Sequence, residues 1–148
     1  MNRQIAHRLS LALTAGLFIV LAQGAIEVSQ SAASGLHLPV GIVISVLALI
    51  WTVAVRKFRP EAFQLTLSVL ATIAISGWSG MIDTASGKVV HAVFSHLAFA
   101  LAAAGAAMTS DSWEARLAVA DGGFPTLRSL AWITPTTVLI QVALGAAY

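Results

Sequence analysis

Cysteine is absent from the 148 residues, which excludes disulfides, thiolate metal sites and iron–sulfur clusters together. Charge is nearly as scarce. Asp, Glu, Lys and Arg make up 9% of the chain and hydrophobic residues 58%, too little polar material to coat a soluble globule of this size. With a mean hydropathy of +0.88, the composition reads as an integral membrane protein. The formal charge of +2 rests on few ionisable groups. No basic stripe interleaved with aromatics occurs, so nucleic acid is not an expected partner and membrane lipid is.

What is present is a set of apolar runs. Five of them, Leu9–Val28, Leu38–Val55, Phe63–Ile82, Val89–Met108 and Leu127–Tyr148, approach the roughly 20 residues that a helix needs to cross the hydrocarbon core. The first follows Arg3 and Arg8 but is longer than a signal-peptide core, and it reads as a retained span. The expected fold is therefore all-α: a four-helix transmembrane bundle plus a fifth transmembrane helix. Residues 1–110 form the bundle, 111–126 a cytoplasmic connector and 127–148 the fifth helix.

The cations sort by loop. All of the 8 Lys and Arg residues except Lys88 fall before the first span, after the second or after the fourth. The positive-inside rule then sets the N-terminus in the cytoplasm and the Ser29–Leu36 and Asp83–Lys88 loops outside, in what reads as a bacterial inner membrane. Arg59-Pro60-Glu61 reads as a turn opening the third span, and Asp121-Gly122-Gly123-Phe124-Pro125 as a break before the fifth. Thr109–Thr126 reads either as a surface helix with Trp113 at the headgroups or as a solvated linker. Trp51, Trp78 and Trp132 are expected in aromatic belts. Pro135 is expected to kink the fifth helix, with Thr134, Thr136 and Thr137 helping to resatisfy the freed backbone. Ser76, Gly77, Ser79 and Gly80 give the third span a small face that admits either a neighbouring helix or a flat macrocycle.

Against this background the histidines stand out. His37 and His91 each sit at the outer entrance of an apolar run, and the charge pattern gives them a common depth. An imidazole there is costly to leave unpaired, so a shared ligand such as heme iron is one reading, with His37 and His91 as metal ligands, and an ordinary interfacial pair is the other. A zinc site fits less well, because no carboxylate lies at helical spacing from either histidine and such sites draw three or four protein ligands. His96, about 140° around the helix and roughly 7.5 Å deeper than His91, suits a secondary role toward a propionate, a backbone carbonyl or a quinone. Lys88 is open to a propionate pairing or to simple snorkelling. His7, beside Arg8, reads as interfacial.

Three segments carry a family resemblance. Gln23-Gly-Ala-Ile-Glu-Val-Ser-Gln-Ser-Ala-Ala-Ser-Gly-Leu-His37 resembles the first-span end and outer loop of the heme A synthase family. Val90-His-Ala-Val-Phe-Ser-His96 resembles the start of that family's fourth span, and Gln141-Val-Ala-Leu-Gly-Ala-Ala-Tyr148 its fifth. The last segment also echoes Val20–Glu27, pairing Gly24 with Gly145, as expected if a second repeat begins there and is truncated. The resemblance implies two pseudo-symmetric four-helix halves, each with a heme-ligating histidine pair near the outer surface. It also implies oxidation of a methyl group of heme O to give heme A, in support of cytochrome oxidase assembly. His37 and His91 would be the pair of the first half.

The chain departs from the family pattern in three ways. Ser34 stands where members often carry a glutamate, the outer-loop cysteine pair is missing, and a second histidine-bearing half is not in these residues. Glu27 is the nearest acid, open to a proton-acceptor role or to the plainer role of a boundary carboxylate. Three classes stand: a heme A synthase-like protein, a non-catalytic heme b subunit of a respiratory complex, and a structural membrane subunit. A b, O or A heme fits equally. A homodimer or a larger respiratory assembly would complete a two-half architecture.

Overall fold

The computed structural model of the chain describes residues 2–30, 35–114 and 125–147. They form α1 (Asn2–Gln30), α2 (His37–Phe58), a 3₁₀ turn (Pro60–Ala62), α3 (Phe63–Gly80), α4 (Ala85–Met108), the single turn α5 (Asp111–Glu114) and α6 (Leu127–Ala147). Five of these helices are long and apolar enough to cross a membrane.

The boundaries follow local chemistry. α2 carries Arg56 and Lys57 in its last turn, where cations complement the carbonyl end of the dipole. It stops at Arg59, whose φ of −145° and ψ of 61° are non-helical, as expected of a residue that precedes proline. Pro60 then opens the 3₁₀ turn, where a missing N–H is harmless. Thr84 caps α4 by accepting a hydrogen bond from the Gly87 amide at 3.0 Å, and Gly35 takes the left-handed φ of 68° just before α2.

The first four long helices pack as a ring, α1 on α2, α2 on α3, α3 on α4 and α4 back on α1. α2 and α4 are thus diagonal across the interior. Trp51 crosses that diagonal: it is wholly buried, and a Cβ placed on Gly105 of α4 would lie 2.6 Å from its ring. The belt position expected for Trp51 is therefore corrected. It is a core residue, because the small Gly105 opposite leaves room for an indole that would otherwise face outward. Trp78 and Trp132 do face outward, at 70% and 73% exposure.

Small and hydroxyl-bearing side chains fill much of the interior. Ser10, Thr52, Thr66, Thr72, Ser76, Ser79 and Thr109 are buried, and Leu38, Val43, Val53, Met81 and Ile133 are exposed. Several of the buried hydroxyls donate to carbonyls one turn back in their own helix, as Thr52 does to Ala48 at 2.8 Å and Thr72 to Val69 at 2.8 Å. They therefore cost little to bury.

Two polar residues hold the end of the bundle opposite the paired histidines: His7, which sequence places at an interface, and Arg59 of the turn after α2. His7 Nδ1 lies 3.1 Å from the Ala106 carbonyl and 3.4 Å from Thr109 Oγ1, so it ties α1 to the end of α4 instead of facing only an interface. Arg59, 2% exposed, donates to the carbonyls of Met108 at 3.5 Å and Ser110 at 3.4 Å and lies 3.5 Å from Glu61. A guanidinium at the orphan carbonyls of a helix end satisfies both their hydrogen bonding and their partial charge.

α6 packs on α4, and none of its residues is buried. It runs as one helix through Pro135. Thr136 and Thr137 donate to the carbonyls of Trp132 and Ile133 at 2.7 and 2.9 Å, one and two residues past the Ala131 carbonyl that Pro135 leaves without an amide partner. Asp111–Glu114 gives the connector one helical turn, with Trp113 exposed. Ser31–Ser34, Arg116, Asp121 to Phe124 and Tyr148 lie outside the described residues.

Candidate functional site

His37 is the first residue of α2, and His91 lies in the second turn of α4. Their helices are diagonal, yet their rings meet across the interior with centroids 5.9 Å apart and planes at 62°. Gly80 makes room for His91: a Cβ there would stand 2.8 Å from His91 Nδ1, inside contact distance, so the ring occupies space that a larger residue on α3 would take. A Cβ on Gly24 would stand 3.4 Å from His37 Cε1, an ordinary contact that places His37 beside α1.

The two rings are held differently. His91 Nδ1 is 2.8 Å from the Ser76 carbonyl, a contact that only an N–H can make. The Ser76 hydroxyl lies 3.2 Å from the same nitrogen and 2.6 Å from the hydroxyl of Ser95, which itself donates to the His91 carbonyl at 2.7 Å. The proton therefore sits on Nδ1 and leaves Nε2 of His91 as the unprotonated nitrogen. His37 Nδ1 is buried without a hydrogen-bond partner. So is the Oε1 atom of Gln23, the neighbour in sequence of the glycine that abuts His37.

The arrangement can be tested against a metal. Two imidazoles on opposite sides of one metal have ring centroids roughly 6 Å apart, since each metal–nitrogen bond is ~2 Å and each ring adds about 1 Å. The observed 5.9 Å matches that span, and rotation about the metal–nitrogen bonds leaves the interplanar angle unconstrained. The rings meet edge to face, so bringing both Nε2 atoms to one centre requires one ring to turn. His37 is the ring whose Nδ1 lacks a partner. Among the described residues no cluster of three or more His, Cys, Asp or Glu gathers. A two-imidazole set fits an iron whose other positions a macrocycle fills better than it fits a zinc ion needing three or four protein ligands.

His96 and Lys88 have partners other than this pair. His96 Nδ1 bonds the carbonyl of Ala92, one turn back in α4, at 2.8 Å, one of the partners anticipated for it. Its Nε2 is thereby left as an acceptor. Lys88 makes an exposed ion pair with Asp83 at 3.2 Å. Glu27 is half-buried and one turn beyond Gly24 on α1, at the same end of the bundle. In sequence, Ser76 and Gly80 read as part of a small face that admits a neighbouring helix or a flat macrocycle. Their part in seating His91 depends on the pairing of α3 with α4, and spacing alone carries no signal for it.

Compared with protein-family models, with curated proteins and with solved structures, the chain matches none.

Proposed function

We propose that the chain is an integral membrane protein that binds one heme through His37 and His91, in a bundle resembling the N-terminal half of heme A synthase and serving cytochrome oxidase assembly. The observation that carries this reading is the meeting of the two imidazoles at 5.9 Å from diagonal helices, with the His91 tautomer fixed by the Ser76 carbonyl. A bound heme would supply one-electron redox chemistry within the membrane. The protein's share is to orient the ligands, to line the site with small residues and to keep water out. Glu27, on the turn after Gly24, is the proton acceptor if the protein oxidises its heme. His96 and Lys88 are secondary contacts. The N-terminus lies in the cytoplasm of a bacterial cell and the histidine pair toward the outer face, as the cation pattern supports.

A second reading, a non-catalytic heme b subunit of a respiratory complex, is favoured by one feature. If His37 and His91 both held a heme iron, they would leave it no open coordination position for oxygen. A reduced-minus-oxidised optical spectrum of the purified protein tests ligation. Sharp bands that vanish in His37→Ala and in His91→Ala are the expected result, and an intact, heme-free wild type that takes up no added heme would sink the proposal. Identification of the extracted heme then divides the readings. Conversion of heme O to heme A marks the enzyme, and heme b alone marks the electron carrier.

A further inference from the structure

Two buried polar atoms lie at the same end of the bundle without hydrogen-bond partners, His37 Nδ1 on α2 and Gln23 Oε1 on α1. An orphaned buried donor or acceptor loses its hydration without a replacement bond, so one such atom calls for an explanation and two complementary ones suggest a shared explanation. Gly24 places them near each other. It follows Gln23 in the chain, and the position a Cβ would take on it lies 3.4 Å from His37 Cε1 and 3.9 Å from Nδ1, so the His37 ring lies beside α1 at this turn. An imidazole that ligates through Nε2 carries its proton on Nδ1 and needs an acceptor there. For His91 that acceptor is in place at 2.8 Å, the Ser76 carbonyl.

We infer that Gln23 is the positioning residue of His37, its side-chain carbonyl accepting the Nδ1–H when the ring turns to present Nε2 to the heme. The assignment rests on the heme-binding reading. It deepens that reading by giving each ligand its own outer partner, a main-chain carbonyl for His91 and a side-chain amide for His37. It also makes the two partners unequal. The Ser76 carbonyl is unchanged by any substitution at that position, whereas the acceptor on α1 is open to substitution, so the electronic character of the heme is tunable from the His37 side. A stronger acceptor makes the imidazole a more basic ligand, favours the ferric state and lowers the reduction potential.

The experiment titrates hemin into the full-length protein in detergent and measures affinity and reduction potential for wild type, Gln23→Leu and Gln23→Glu. Gln23→Leu is expected to lose roughly ten-fold or more in affinity and to raise the potential. Gln23→Glu is expected to hold affinity and lower the potential, a signature that an amide serving only helix packing would not give. Wild-type affinity and potential in both variants would overturn the assignment and leave the heme reading standing. Failure of intact wild type to take up hemin would overturn the heme reading itself. Should Gln23→Leu not fold, Gln23→Glu decides alone, a lowered potential supporting the assignment and an unchanged one overturning it.

Discussion

The two histidines differ at the residue scale in what a substitution can reach. His91 is held by main chain, since the acceptor of its Nδ1–H is the Ser76 carbonyl at 2.8 Å and the Ser76 hydroxyl, at 3.2 Å, is the longer contact. Ser76→Ala is therefore expected to keep heme with less than the roughly ten-fold loss that follows removal of an outer-shell partner, as hemin titration would record. Gly80→Ala should behave oppositely. The added methyl would sit 2.8 Å from His91 Nδ1 and 3.2 Å from Cε1, closer than carbon contacts allow, so the ring must leave its hydrogen bond or the helices must part. Loss of heme from a folded Gly80→Ala protein is the expected outcome. A wild-type spectrum there, with Ser76→Ala the damaged variant, would reverse the account of how His91 is seated.

At the scale of elements, the interior is filled at two levels along the α2–α4 diagonal: the histidine pair at one end and Trp51 against Gly105 at the other, about 21 Å further along α4. Gly105→Ala should destabilise the bundle by about 1–3 kcal/mol through overpacking, read as a lowered melting temperature in detergent, with the histidine pair unchanged. An unshifted melting curve would mean that Trp51 moves freely. The sequence made the five helices legible because each is a long apolar run closed by a turn or a charge. It also made His37 and His91 legible as a pair, because loop charges gave them one depth. It misassigned Trp51 and His7 for a common reason. A tryptophan or histidine suits an interface by its own chemistry. Whether it turns inward depends on a partner far away in sequence: Gly105 for Trp51 and the Ala106 carbonyl for His7. Arg59 stands in the turn that its Pro60 neighbour announced, but its partners, the Met108 and Ser110 carbonyls, carry no signal in the sequence.

For the molecule as a whole, the absence of cysteine makes orientation directly measurable. Single cysteines at Lys57 and Lys88, both exposed at opposite ends of the bundle, should react with a membrane-impermeant thiol reagent from opposite sides of the cell membrane, Lys88→Cys in intact cells and Lys57→Cys only after lysis. Labelling of both in intact cells would refute the topology. The position of α6 sets a stricter question, whether the ring of four helices is a unit by itself. α6 packs on α4, contributes no buried residue and supplies none of the hydrogen bonds described for His91. The core side chains lie on the four ring helices and the turn between α2 and α3. A chain ending after residue 114 is thus expected to insert, to keep the His37–His91 contact and to bind hemin with an affinity within about ten-fold of the full chain, a difference of about 1.4 kcal/mol. Its loss should fall instead on association, because the exposed Trp132, Ile133, Ile140 and Leu144 of α6 offer a neighbouring helix an apolar face that the ring does not use. If removal of α6 abolishes hemin binding while the shortened chain still inserts, the histidine pair depends on the fifth helix, and the four-helix unit is not the functional module.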